Sequence, residues 1–289
     1  MDRRVFVAGS LGLASGLALV RPTRAALHPD PAASPAASGL PRLGLTLTDT
    51  DFAFDQVLTA GRFEITVTND GTLTDSHFGF GKVPDRITEG EYYAWLGAQG
   101  EDTDALTFED IAFVGVPDWP PPGGSVSGVI DIEPGRYFLF DPFSGRLIQT
   151  IMVEGDLAPE IEPEADLTVT LREMTIELPE TAFTTAKMRW EITNAGAMSH
   201  EVAVVPVAAD FTDEHLQMLF EMPEDATPPP GVPELVYQPA AAIGILAGGH
   251  TSWLDVELAP GRYLAACMLP FGTGYPHAID GMYLFFDVE

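Results

Sequence analysis

The sequence predicts an all-β protein built from two tandem Greek-key β-sandwich domains. Proline and glycine are abundant, with 25 and 28 residues among 289, and they suit many short strands joined by turns. Apolar and polar residues alternate with a period of two in short segments such as 167–171 and 253–258, as they do in half-buried strands. A third observation, an internal duplication, predicts the tandem arrangement.

Residues 1–26 are expected to form a secretory signal. Two arginines at 3–4 precede an apolar run over 5–20, and small residues follow, which is the usual order of charged, apolar and small residues in such signals. The arginine pair followed by Phe6 resembles a twin-arginine signal. An uncleaved N-terminal anchor is the alternative, although the run is shorter than the roughly 20 residues of a membrane span.

Export would place the mature protein in the periplasm or outside the cell, with no stable insertion in the membrane. The sequence has no second apolar stretch that could span a bilayer. The segment 27–41 is rich in alanine, proline and serine, and we expect it to be a flexible leader.

Two copies of one unit are expected after the leader, at 42–156 and 166–289, separated by a Pro- and Glu-rich linker at 157–165. The copies share an Asn-x-Gly turn, a histidine, a short helix that opens with threonine and acidic residues, a Gly-Gly pair and a Pro-Gly-Arg-Tyr turn. These landmarks stand at Asn69, His77, 88–96, Gly123 and Pro134 in the first copy and at Asn194, His200, 212–220, Gly248 and Pro260 in the second. Their shared order argues against two unrelated β-domains that merely use the same turn residues.

The net charge of −29 restricts the partners of the protein. It would repel a phosphate backbone and an anionic lipid surface. We therefore expect no nucleic-acid binding, and we expect any partner protein to present a basic face. Solubility alone is the alternative explanation of the acidity.

One group of residues in the second copy has the chemistry of a metal site. Cys267, the only cysteine of the chain, ends a strand, a Gly- and Pro-rich loop returns His277, and Met282 opens the last strand. His200 comes from an earlier strand, beyond the Asn-x-Gly turn. A thiolate and two imidazoles bind both Cu(I) and Cu(II), and a weak axial thioether tunes the potential. The pattern therefore predicts one copper ion.

The arrangement resembles the type 1 blue-copper site of cupredoxins, in which one histidine precedes a Cys-loop-His-loop-Met cluster between the last two strands. The spacing here is Cys-x9-His-x4-Met, with a first loop similar in length to that of nitrite-reductase type 1 domains. The resemblance covers the second copy. It implies a cupredoxin-like fold, with His200, Cys267 and His277 as equatorial copper ligands and Met282 as the axial ligand.

Each of these residues also has a purely structural interpretation. Cys267 could be an inert buried thiol and Met282 could be core filler. His200 could be a hydrogen-bonded core histidine and His277 an ordinary loop histidine. The reserve ligand candidates are His215, His250 and Met268.

The first copy is expected to carry no copper. Aligning the two Pro-Gly-Arg-Tyr turns puts Asp141 at the position of Cys267, and the rest of that loop contains neither His nor Met. His77 remains, isolated from any other ligand. We therefore expect a scaffold or docking module, with a hard-metal site of Asp141 and His77 as the alternative.

Together these observations predict an exported type 1 copper protein that carries single electrons and docks on a redox protein with a basic face. One alternative is a copper-binding or storage protein without redox turnover, and another is a non-metal interaction module. An enzyme is not expected. Cys267 has no histidine neighbour, the chain has no His-x-His pair, and its six histidines cannot supply a trinuclear copper cluster. Oxidase and nitrite reductase activities are therefore not predicted.

Overall fold

The structure is a computed structural model that describes most of the chain after the predicted leader. The predicted signal at 1–26, Asp141 and part of the linker at 157–165 lie outside the described residues, so these expectations stay predictions. The described residues are 39–55, 57–74, 77–97, 105–140, 149–156, 161–179, 183–184, 186–223, 226–270 and 275–289.

Short strands dominate the described residues on both sides of the predicted linker. In the first half, taken as 42–156, the elements are β1 Arg42–Leu47, β2 Phe52–Phe54, β3 Gly61–Asn69, β4 Gly79–Val83, α1 Glu89–Gly97, β5 Ala112–Phe113, β6 Ser125–Ile132, β7 Gly135–Phe140 and β8 Gln149–Val153. In the second half, taken as 166–289, they are β9 Leu167–Arg172, β10 Thr175–Glu177, β11 Met188–Asn194, β12 His200–Val207, α2 Asp213–Glu221, β13 Ala241–Leu246, β14 Thr251–Val256, β15 Gly261–Ala266 and β16 Tyr283–Val288.

The strands form three sheets, one of which runs through both halves. Its order is β10-β9-β11-β14-β6-β3-β1-β2, and the two four-stranded sheets have the orders β5-β4-β7-β8 and β13-β12-β15-β16. Strand order in the first half therefore recurs in the second. In each half one pair of strands is parallel, β1 with β3 and β9 with β11, while the other ladders are antiparallel. The predicted all-β sandwich architecture is confirmed.

The large sheet crosses between the halves where β6 pairs with β14. Trp253 lies opposite Val129, and Leu254 lies opposite Gly128. A Cβ atom on Gly128 would overlap the carbonyl oxygen of Trp253, so this close approach of two backbones requires glycine. Arg62 of β3 lies over the ring of Trp253, 4.6 Å from its centre, which adds a cation–π contact across the junction.

Each half closes around a core between its part of the large sheet and its own four-stranded sheet. Ile65 and Leu139 belong to the core of the first half, and Ile192 and Val204 belong to that of the second. Side chains of this size contribute about 1.5–3 kcal/mol each when fully buried. The second core includes Cys267 and Met282 and also takes in first-half residues such as Phe113, so the candidate ligands lie in a packed, buried region.

The two helices begin where the sequence predicts, each one residue after its threonine. Thr88 accepts a hydrogen bond from the backbone N–H of Glu91 at 3.2 Å, and the Glu91 carboxylate accepts one from the Thr88 N–H at 2.8 Å, which is a capping box. Thr212 caps the second helix by accepting from the His215 N–H at 3.3 Å. Neither helix is long and apolar enough to cross a membrane.

Candidate metal centre

A buried asparagine shapes the turn that delivers His200. The side-chain amide of Asn194 donates to the carbonyls of Met198 and Leu246, at 2.8 and 2.9 Å, and its oxygen accepts from the Gly196 N–H at 3.0 Å. These bonds tie the turn to the end of β13 and bring the chain back into β12. The register of β12 against β13 shifts between His200 and Val202, and a β-bulge of this kind re-aims the side chain beside it.

Cys267 and His277 are held together by backbone hydrogen bonds across their loop. The N–H of His277 donates to the carbonyl of Leu269 at 3.0 Å, and the N–H of Ala278 donates to that of Cys267 at 2.8 Å. Met282 contacts both candidates, because its carbonyl accepts from the Cys267 N–H at 3.1 Å and its N–H donates to the His277 carbonyl at 3.0 Å. Local bonding therefore fixes both ends of this loop.

The ligand atoms of His200, Cys267 and His277 converge on one point. The Nδ1 atoms of the two imidazoles are 3.1 Å apart, and the Cys267 Sγ is 3.4 Å from Nδ1 of His277. The three ligand atoms lie within 4.8 Å of one another. The imidazole rings are steeply inclined to each other, at 71°. Each ring can therefore direct its own Nδ1 at a shared centre.

The three side chains are fully buried, each with 0% of its surface exposed. A cation would accept lone pairs from the sulfur and from both facing imidazole nitrogens at once. One thiolate and two imidazole nitrogens are the donors that copper prefers. The residues fit the predicted ion, and the resemblance to the type 1 site of cupredoxins is confirmed in these three residues.

The ionisation of the site follows from its burial. Burial lowers the pKa of His200 to about 4, with His277 acting in the same direction and Glu173 opposing it. His200 is therefore neutral and able to bind a metal at pH 7. Burial raises the pKa of the Cys267 thiol, and the Glu201 carboxylate raises it further. The thiol must therefore release its proton to the solvent when the metal binds.

Met282 lies beside this cluster in the chain and in the core. It is fully buried and belongs to the same core as Cys267. Its backbone bonds to Cys267 and His277 agree with a position next to the site. The role of its thioether as the axial ligand stays a prediction.

The reserve candidates lie elsewhere among the described residues. Nδ1 of His250 is 3.1 Å from the carbonyl of Gly248, and Nδ1 of His215 accepts from the Thr212 N–H at 3.3 Å. Met268 packs in a separate apolar cluster on the other side of its strand, as the alternation along a strand predicts.

Sequence reasoning missed a buried group of charged residues beside the site. The interpretation of His77 as isolated is wrong, because its Nδ1 contacts the Asp118 carboxylate and its Nε2 lies 3.6 Å from Oε2 of Glu201. All three residues are at most 5% exposed. The available signal was Glu201 itself, an acidic residue followed by six apolar residues in β12.

Comparisons with known proteins do not identify a family for this chain. No protein-family profile and no curated protein matches the chain. Among solved structures, auracyanin from Roseiflexus castenholzii is 20% identical, with 44% of this chain and 99% of that chain covered and a TM-score of 0.28. An azurin from Methylomonas sp. strain J is 19% identical, with 42% and 95% covered and a TM-score of 0.26. A multicopper oxidase is 13% identical, with 85% and 88% covered and a TM-score of 0.23.

Such low TM-scores carry no functional argument, so the case for copper stands on the side chains of the site. The matches include multicopper oxidases as well as auracyanin and azurin. The expectation that this protein is not an enzyme therefore stays a prediction.

Proposed function

We propose that this chain is an exported one-electron carrier that binds a single type 1 copper ion in its second half. The observation that carries the proposal is the convergence of two imidazole nitrogens and the only thiol of the chain in a fully buried pocket. A bound copper ion would supply a one-electron couple between Cu(I) and Cu(II).

The ligand assignment follows the atoms that face one another. His200 and His277 bind through Nδ1 and Cys267 through Sγ, because these atoms approach to 3.1 and 3.4 Å. Met282 supplies the weak axial thioether from its buried position next to Cys267. The ligands come from two strands and a loop closed by hydrogen bonds, so the protein holds them in similar positions in both oxidation states. Electron transfer at such a site therefore requires little rearrangement of the ligands.

The surroundings of the sulfur favour a redox role over simple storage. The backbone N–H of Glu201 lies 3.5 Å from Cys267 Sγ, and hydrogen bonding at a ligating sulfur tunes the potential of a copper site. Full burial keeps water away from the ligands. The exchange of a ligand for water therefore does not compete with electron transfer.

An electron carrier rather than an oxidase is supported by the histidine inventory. The chain has six histidines, and His77, His215 and His250 make other contacts. Ala266 and Met268, not histidine, flank Cys267. The described residues therefore offer no further histidine ligands for a trinuclear cluster beside this site.

The partner and the location are inferred from charge and from the N-terminal sequence. A net charge of −29 suits docking on a redox protein with a basic face, which would also speed association at low ionic strength. The signal-like sequence at 1–26 directs the protein to the periplasm or the cell exterior. We further propose that 42–156 and 166–289 are tandem cupredoxin-like domains and that the first serves as a copper-free scaffold.

Optical titration with Cu(II) tests this function. We expect one equivalent of copper to produce an intense thiolate-to-copper charge-transfer band that Cys267→Ser abolishes and His215→Ala, a histidine outside the site, leaves unchanged. Reversible voltammetry should then show a one-electron wave. Copper binding without that band or wave would favour storage, and no binding would leave a non-metal interaction module.

A further inference from the structure

We propose that His77 is a positioning residue through which the first half of the chain sets the geometry and potential of the copper centre in the second half. The proposal rests on the proposed copper site and adds to it a function for the half that lacks ligands. It concerns the first half's contacts with the two residues that flank His200 in the chain.

Residues of the first half contact the chain on both sides of His200. On one side, the N–H and Oγ of Ser199 donate to the carboxylate of Glu109, at 2.8 and 3.1 Å. On the other side, Glu201 lies 3.6 Å from Nε2 of His77. Both Glu109 and His77 belong to the first half, so the backbone around this ligand is anchored to residues some distance away in the chain.

The His77 ring is itself held in one orientation. Its Nδ1 contacts the buried carboxylate of Asp118, and Asp118 is fixed because it accepts from the Trp119 N–H at 2.7 Å. The Trp119 ring lies 5.5 Å from the His77 ring, inclined by 33°. Trp119 has a left-handed backbone conformation, with φ of 60°, and such conformations persist where the surrounding structure imposes them.

Glu201 transmits this position to the sulfur by two hydrogen bonds, one at Cys267 itself and one at the residue that follows it. Its backbone N–H lies 3.5 Å from Cys267 Sγ, and its Oε1 accepts from the Met268 N–H at 3.1 Å. A residue that orients a ligand from outside the coordination shell also tunes the metal. A displaced Glu201 would therefore move the donor at the sulfur and the strand that carries it.

The histidine is needed because two carboxylates are buried beside it. Asp118 and Glu201 are 1% and 5% exposed, and a buried carboxylate without a partner is strongly destabilising. Without the ring, Glu201 would turn toward water and lose its place at Cys267.

His77→Leu and His77→Gln separate positioning from the filling of space. Leucine fills the site but donates no hydrogen bond, whereas glutamine keeps an N–H near the position of Nε2. We expect His77→Leu to shift the charge-transfer band and to favour Cu(II) about tenfold, a fall of about 59 mV for one electron. His77→Gln should stay close to the wild type. A His77→Leu protein that only melts earlier, with an unchanged band and potential, would overturn the proposal.

The same substitution in a Glu201→Gln background tests the route. Glutamine can still accept from the Met268 N–H but carries no negative charge, so the effect of His77→Leu on the potential should largely disappear. An undiminished effect would mean that His77 does not act through Glu201, and the proposal would fail. If His77→Leu does not fold, Glu201→Ala must shift the band on its own, and an unchanged band would count against us.

A measurement without copper distinguishes this proposal from the proposed function. Cys267 is the only thiol, so its rate of alkylation by iodoacetamide reports on this pocket alone. We expect His77→Leu to raise that rate at least tenfold and the control His250→Ala to leave it unchanged. Equal rates in both variants would overturn the positioning role. A wild-type protein without the copper band would overturn the proposed function, while the alkylation result would stand.

Discussion

The two asparagines of the chain offer a matched test of how the fold builds the metal centre. Asn194 makes three hydrogen bonds, with the Met198 carbonyl, the Leu246 carbonyl and the Gly196 N–H. Asn69 makes the same three kinds of bond in the first half, with Leu73, Pro120 and Gly71, at 2.9, 3.0 and 2.9 Å. The two side chains are 0% and 1% exposed. Only Asn194 stands before a predicted copper ligand.

Replacing either asparagine by alanine removes these three hydrogen bonds, one buried and two partly buried. At about 1 kcal/mol for each net bond, Asn194→Ala and Asn69→Ala should each lower the free energy of unfolding by about 3 kcal/mol. Their effects on copper should differ, because only Asn194 ties the turn before His200 to the end of β13. We expect Asn194→Ala to weaken copper binding at least tenfold and to shift the charge-transfer band. Asn69→Ala, whose turn leads to His77 and not to a ligand, should have a much smaller effect on both.

Urea unfolding of the copper-free variants gives the stability of each, and optical titration with a competing chelator gives the copper affinity. Equal loss of stability with equal loss of copper affinity would show that affinity follows global stability, not the turn. A copper site that is unchanged in Asn194→Ala would refute the argument that this turn positions His200.

Three further outcomes follow from the structure. Gly128→Ala should destabilise the protein in urea because its Cβ would overlap the Trp253 carbonyl. Gly90→Ala, with open space around its Cβ, should not. Equal stability of the two variants would contradict the close approach of β6 and β14. Copper affinity should rise about tenfold per pH unit near pH 7, because the metal displaces one proton from a thiol whose pKa is raised by burial. Chelator competition at pH 7 and 8 measures the affinity, and an affinity that does not change with pH would contradict this prediction. In the copper-free protein, His200 has a pKa of about 4 against an ordinary value of 6.5, so the unfolded chain binds more protons and this residue makes stability fall as the pH is lowered from 6.5 to 4. His200→Gln should remove that component from the urea-measured stability curve, and parallel curves for the two proteins would show that His200 has no depressed pKa.

Local patterns in the sequence predicted much of the fold. Short alternating segments gave the strands, and the threonines at Thr88 and Thr212 gave the helix starts, because both signals depend on neighbours a few residues away. The Asn-x-Gly turn and the spacing from Cys267 to Met282 pointed to the three residues that meet in the buried cluster. These predictions concern residue types whose chemistry limits them to a few structural roles.

Contacts between distant segments were not predictable in the same way. The pairing of β6 with β14 joins residues far apart in the sequence. The alternation of apolar and polar residues along either strand does not indicate which strand it will pair with. His77, Asp118 and Glu201 come from three separate segments, and each alone has the composition of an ordinary loop or strand end. Only the packing of the two halves brings them together.

The continuous sheet has a practical consequence for producing the copper-binding half alone. Cutting at the linker would turn β14 into an edge strand, with unpaired backbone groups and a Trp253 ring stripped of its Arg62 contact. Exposed apolar edges of this kind recruit further strands. The isolated fragment should therefore self-associate, because in the full chain β6 of the first half covers this edge.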